Sequence, residues 1–201
     1  MPVKEKTKVK DKKLVLSRCL EPYGIKDINA PDDYYFIALD LSLSDTGICV
    51  RGKKKYSFYN FQTFFEKTEI YTTERRIKKI IEFISRIIQQ LKWSCVIQPW
   101  IVIENYAFSK NNAYASKLQE LGGVVKNWLY DSEVDFTIIS AGTWKKVLGK
   151  GNLKKEDVKA TVLQKYGCYF KNQNICDAFC MIKFVEQELG LPGHELPKEV
   201  E

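Results

Sequence analysis

The stretch Tyr34–Val50, YYFIALDLSLSDTGICV, decides how the chain is read. Tyr35 to Leu39 is an apolar run with the character of a buried strand, and Asp40 follows before any turn signal. A carboxylate leaving a buried strand must be paired, neutralised or bound to a cation, because burying it bare is costly. The next residues, SLSDTG, carry turn chemistry, so the chain reverses and returns as a second strand over Gly47–Arg51. Asp40 therefore ends a buried strand facing a partner that the rest of the sequence has to supply.

Working outward, GKKK is a second turn, leading into a third strand at Tyr56–Phe61. Ile77, Ile80, Ile81, Ile84, Ile87, Ile88 and Leu91 recur at helical steps and predict a helix over Glu74–Trp93, with Arg75, Arg76, Lys78, Lys79 and Arg86 on its other face. PWIVIE is a short apolar strand that again ends on an acid, Glu104. A helix over Asn112–Tyr130 turns Leu118, Leu121, Val125 and Leu129 inward, a strand covers Phe136–Ser140, and a helix runs from Lys155 to Tyr166. The last helix, Ile175–Leu189, opens at Asn174 and gathers Ile175, Ala178, Phe179, Ile182, Val185 and Leu189 on one face. This order predicts an α/β fold. Its five-stranded mixed sheet has three antiparallel strands and then two parallel ones, flanked by helices on both sides. The expected organisation is a basic N-terminal extension over 1–33, one domain over 34–190 and a tail over 191–201.

The chain has 201 residues, 45% of them hydrophobic, enough for one domain with a sizeable core. No apolar run reaches the ~18 residues of a membrane span, so a soluble, intracellular protein with no membrane partner is expected. Six cysteines, none paired as CxxC, read as buried reduced thiols rather than disulfides or a zinc site. The single histidine, His194 in a proline-flanked tail, argues against histidine-based or zinc-based hydrolysis. Net charge is +7, and the first 13 residues contribute +4 of it through six lysines set against Glu5 and Asp11. That balance suits a polyanionic partner, although the arm alone reads equally well as a solubilising tail.

Three acids then stand in a pattern. If the strand ending at Glu104 lies beside the strand ending at Asp40, their oxygens converge. Asp177, in the first turn of the last helix, shares a helix face with Asn174 three residues before it. Converging carboxylates repel unless a positive charge sits between them. Hard divalent cations such as magnesium take oxygen ligands, and a pair of them clamps both oxygens of a phosphoryl transfer. Taken singly, each acid also reads as a cap, a turn residue or half of an ion pair.

The order LDLSLSDTG, VIENYAFSKNNAYASKLQELGG, LGKGNLKKEDV, NICDAF resembles the RuvC-type Holliday junction resolvases over roughly residues 35–190. That family has the RNase H-like fold. The resemblance implies that Asp40, Glu104 and Asp177 are ligands of two magnesium ions, with Asp40 bridging, and that manganese can substitute. It also implies that Lys155 approaches the scissile phosphate, and that Lys145 lies near a second basic position where Trp144 displaces the match by one residue. At Asn174 the family usually has another acid, or sometimes histidine. Asparagine offers a neutral oxygen, so this chain is either a natural variant working with three carboxylates or an Asp→Asn replacement that binds DNA without cutting, the second being favoured. Weak or absent cleavage is expected.

After Glu104, the residues Tyr106, Phe108, Lys110, Asn111 and Asn112 interleave aromatics with basic and amide groups, as suits a loop that stacks on unpaired bases and holds phosphates. The family places a wedging aromatic where this chain has Ala107, and Tyr106 is the preferred substitute; packing beneath the loop is the alternative for these rings. Symmetric paired nicking implies an isologous homodimer. The helix over Asn112–Tyr130 is the candidate contact, although Gly122 and Gly123 also suit close packing on the sheet. The resulting expectation is a crossover junction endodeoxyribonuclease acting on branched DNA without a nucleotide cofactor. Its setting would be bacterial or phage-infected cytoplasm, or a viral replication site. The rival readings are a catalytically idle branched-DNA-binding protein on the same fold and, more remotely, an actin/hexokinase-like phosphotransferase, for which the second phosphate loop and adenosine motif are missing.

Overall fold

Phe36–Asp40 forms the first strand, β1, and all of its residues are buried, as a strand covered on both faces must be. Asp45–Arg51 (β2) returns antiparallel to it, and Tyr56–Gln62 (β3) pairs antiparallel with β2. Trp100–Asn105 (β4) and Phe136–Ser140 (β5) add on the other side, both parallel. The sheet order is β3-β2-β1-β4-β5, and its three antiparallel and two parallel strands are those the sequence predicts. The computed structural model describes residues 35–63, 72–94, 99–105 and 112–201.

Strand alternation divides the core into two layers. Ile37, Leu39, Ile48, Val50, Ile101 and Ile103 face the helices α1 (Thr73–Ser94) and α2 (Asn112–Asp131), against Ile77, Ile80, Ile84, Leu121, Val125 and Leu129. The alternate positions Phe36, Ala38, Cys49, Trp100 and Val102 pack on the opposite side against Ile175, Ala178, Phe179, Ile182 and Val185. Those residues belong to the last long helix, Gln173–Leu189. Before it come a four-residue helical turn, α3 (Ala141–Trp144), a 3-10 turn at Lys145–Leu148, and α4 (Lys155–Tyr166), so the last helix is α5. No helix among the described residues is long and apolar enough to cross a membrane.

Residues 191–201, set apart as a tail in the sequence reading, pack onto the body. Leu191 and Val200 are buried, and Glu199–Val200 (β7) pairs parallel with Tyr169–Phe170 (β6) just ahead of α5. At the other end of α5, Glu186 forms a buried ion pair with Arg51 (3.0 Å) and accepts from the Tyr56 hydroxyl at 2.6 Å. The same arginine donates to the carbonyl of Pro192, and His194 contacts the carbonyl of Gly52. Burial and the Glu186 contact push the Tyr56 hydroxyl well up from its usual range. The cysteines described (Cys49, Cys168, Cys176 and Cys180) are free and buried, as expected.

Candidate active site

Register brings the first two acids together. β1 and β4 pair in parallel up to Leu39 opposite Ile103, so Asp40 and Glu104 occupy the next step side by side. Each lies two residues beyond an α5-facing position, Ala38 or Val102, and so belongs to the α5 side where apolar packing gives out. The third acid, Asp177, stands in the second turn of α5 and not in the first as the sequence predicts, because the helix begins earlier, at Gln173 with Asn172 as its cap. The position of that helix depends on Gly47, the residue paired with Asp40 across β1 and β2. A Cβ at position 47 would fall inside the backbone of Asn174 and Ile175, so only glycine lets the helix start rest directly on β2. Asn172 caps α5 through its side-chain oxygen, which accepts from the N–H groups of Asn174 and Ile175 at 2.8 and 3.0 Å. Its amide nitrogen donates to Asp45 Oδ2 at 3.0 Å, latching the helix start to the head of β2.

The result is a cleft of about 260 Å³ lined by Asp40, Glu104, Lys145, Lys155, Asn174 and Asp177. Asp40 and Asp177 are 7% and 5% exposed. Burial, reinforced by Glu104 and Asp177, raises the Asp40 carboxyl well above the usual carboxylate range. Burial and the Asp177 charge push Glu104 up to about 7, a shift partly offset by the Trp144 indole and by Lys155 and Lys145. Asp177 is also raised by burial, and the offset comes from the Gln173 amide, donating to its Oδ1 at 2.8 Å, and from Lys155, whose Nζ is 3.8 Å from its Oδ2. Each carboxylate is thus held at a cost that the nearby lysines and neutral donors only partly relieve. Among the described residues, no three His, Cys, Asp or Glu side chains form a ready-made cation cage. The donor set nonetheless fits a hard divalent cation: buried carboxylates that repel one another, with no thiol or imidazole among the groups lining the cleft.

The structure therefore brings Asp40, Glu104, Asp177, Asn174, Lys155 and Lys145 to one place. Lys145 lines the cleft while donating to the carbonyl of Leu153 at 2.8 Å, which braces the turn before Lys155. Asn174 gives its amide nitrogen to the backbone carbonyl of Asp45. A carboxylate could not make that bond, so asparagine has a structural role of its own here and keeps only its carbonyl oxygen for a ligand. Tyr106, Phe108, Lys110 and Asn111 lie outside the described residues; Asn112 opens α2, with its side chain likewise outside them. The sequence gives no role to three residues that shape the site: Asp45, Gly47 and Trp144. The glycine after SDT inside a strand was a usable signal, because strand glycines mark close backbone approaches.

No family model and no curated protein sequence matches the chain. Several solved structures resemble it, two of them of the same bacterial protein. One is Thermus thermophilus RuvC in complex with a Holliday junction substrate, 17% identical, with a TM-score of 0.59 over 75% of this chain and 92% of that one. The other is a further structure of Thermus thermophilus RuvC, 18% identical, with a TM-score of 0.55 over 78% and 96% of the two chains. With its mixed five-stranded sheet and flanking helices, the chain has the RuvC-type, RNase H-like fold.

Proposed function

We propose that the chain is a divalent-metal-dependent endonuclease that hydrolyses phosphodiesters in four-way or other branched DNA by paired nicks. The observation that carries this reading is the convergence of Asp40, Glu104 and Asp177 on one cleft in which burial raises all three carboxyls and neighbouring acids raise Asp40 and Glu104 further. Those three side chains would hold magnesium, or manganese in its place, with the Asn174 carbonyl oxygen as a weak fourth donor. Such ions supply activation of a water and stabilisation of the leaving 3′ oxygen, so no protein nucleophile is required.

The chain's own residues do the rest. Lys155 is 64% exposed at its side chain, so its ammonium swings readily from Asp177 to an incoming phosphate and offsets charge building on it. Lys145 keeps the turn carrying Lys155 in place and adds positive potential for the DNA backbone. Tyr106, Phe108, Lys110, Asn111 and Asn112, which come after Glu104 in sequence, would contact unpaired bases and phosphates at the branch point. Two cuts on opposed strands call for two sites related by a two-fold axis, and α2, which exposes Val124 and Tyr130, is the proposed contact between copies. Because Asn174 brings no charge, this chain binds metal weakly and cuts slowly.

The test incubates labelled four-way junction, replication fork and linear duplex with magnesium or manganese, using this chain and its Asn174→Asp form. Symmetric nicking of the junction, faster with Asn174→Asp, is the expected result. Equal rates for the two forms would refute the role given to Asn174, and no metal-dependent nicking of any branched substrate by either form would refute the nuclease reading. A second reading, an idle branched-DNA-binding protein, is favoured by the neutral Asn174 and its bond to Asp45. Tight junction binding with no nicking by either form is its signature.

A further inference from the structure

Trp144 is 1% exposed, sits in the core layer beneath α5 and still reaches the wall of the acidic cleft. Its indole Nε1 is buried and has no partner at hydrogen-bond distance. Buried N–H groups are nearly always satisfied, so an orphan at the wall of a site requires a reason. The Glu104 carboxylate lines the same cleft, and the indole favours its ionised form.

The ring is held in place on its other sides. Ser140 caps the turn that carries it, accepting from the Thr143 N–H at 3.2 Å. Lys145 Nζ lies 5.5 Å from the indole centroid, in cation–π range, while donating to the carbonyl of Leu153. A carboxylate has two oxygens and several acceptor directions. A donor fixed on one side orients the group and leaves its remaining lone pairs for a ligand.

We infer that Trp144 is a positioning residue: its unpartnered indole N–H is the donor that the Glu104 carboxylate takes up when it turns into the cleft to bind a cation, while its ring seats Lys145. This rests on the nuclease reading. Trp144 touches no substrate; it acts through Glu104.

The test replaces Trp144 with benzothienylalanine, which keeps the bicyclic shape and exchanges only the N–H for sulfur, alongside the simpler Trp144→Phe. Mn2+ alone is titrated by electron paramagnetic resonance, with thermal unfolding as the control for folding. Loss of an orienting partner behind a metal ligand is expected to weaken Mn2+ binding about tenfold or more, with the unfolding midpoint of the benzothienylalanine form unchanged. In a Glu104→Gln background, the same exchange should have no further effect on Mn2+ binding. Undiminished Mn2+ affinity in the benzothienylalanine form, or an equal loss with and without the Glu104 carboxylate, would overturn the inference and leave the nuclease reading standing. Absence of Mn2+ uptake by the unaltered protein would overturn both.

Discussion

Replacing Glu104 with glutamine removes a charge from the crowded cleft without changing its shape. Burial and Asp177 move this carboxyl from 4.5 to about 7, a change that corresponds to about 3 kcal/mol of folding free energy. The folded value lies above the unfolded one. The group's contribution is therefore fully present below the unfolded pKa and is lost as pH rises through the folded one. Unaltered protein, freed of metal by EDTA, should lose stability between about pH 4.5 and 7 from this group, and the raised Asp40 and Asp177 carboxyls push in the same direction. Glu104→Gln should be more stable than the parent by roughly 2–3 kcal/mol at pH 8 and nearly equal to it at pH 4, a large effect against a typical domain stability of about 5–15 kcal/mol. Urea unfolding followed by tryptophan fluorescence at the two pH values measures the difference. Adding Mn2+ at pH 8 should reverse the order, because an ion bound only by the folded state stabilises the parent more. If Glu104→Gln gains nothing at pH 8, or gains the same at pH 4, the acids are not under mutual strain and the cation argument fails.

Gly47→Ala drives a methyl group into the start of α5; it should cost on the order of 1–3 kcal/mol or more in urea unfolding and weaken Mn2+ uptake together with nicking. Glu186→Gln strands the buried Arg51 guanidinium, already left with an unpartnered Nη1, and should cost roughly 3–5 kcal/mol, whereas Arg51→Met combined with Glu186→Leu should cost much less. Lys155→Ala should reduce nicking of a four-way junction by about two orders of magnitude, the scale of one lost transition-state donor. Its Mn2+ affinity should hold or rise, because the lysine now competes with cations at Asp177.

Periodicity accounts for the parts of the fold and site that were legible in the sequence. An acid closing a short apolar strand run made Asp40 and Glu104 visible, and a three-residue step on a helix did the same for Asn174 and Asp177. The antiparallel or parallel sense of each strand came from turn signals and helical intervals. The residues that escaped notice act across long separations with no periodic trace. Asp45 reads as a turn residue until Asn172 is seen to reach it, and Trp144 reads as core until its N–H proves to have no partner. Residues 191–201 are polar and proline-flanked, and nothing in them announces that two residues will pair with an equally short strand beside α5.

The latch of Asn172 on Asp45 spans 127 positions and the Arg51–Glu186 bridge spans 135. Loops of that length close late, because their entropic cost falls due before the contacts that reward it. A nascent chain can pair β1 with β2 early, but Asp177 is not locked opposite Asp40 until α5 has been made and fastened at both ends. Assembly of the acidic cleft is therefore a late folding event. In refolding experiments, recovery of cation uptake should lag behind recovery of strand signal.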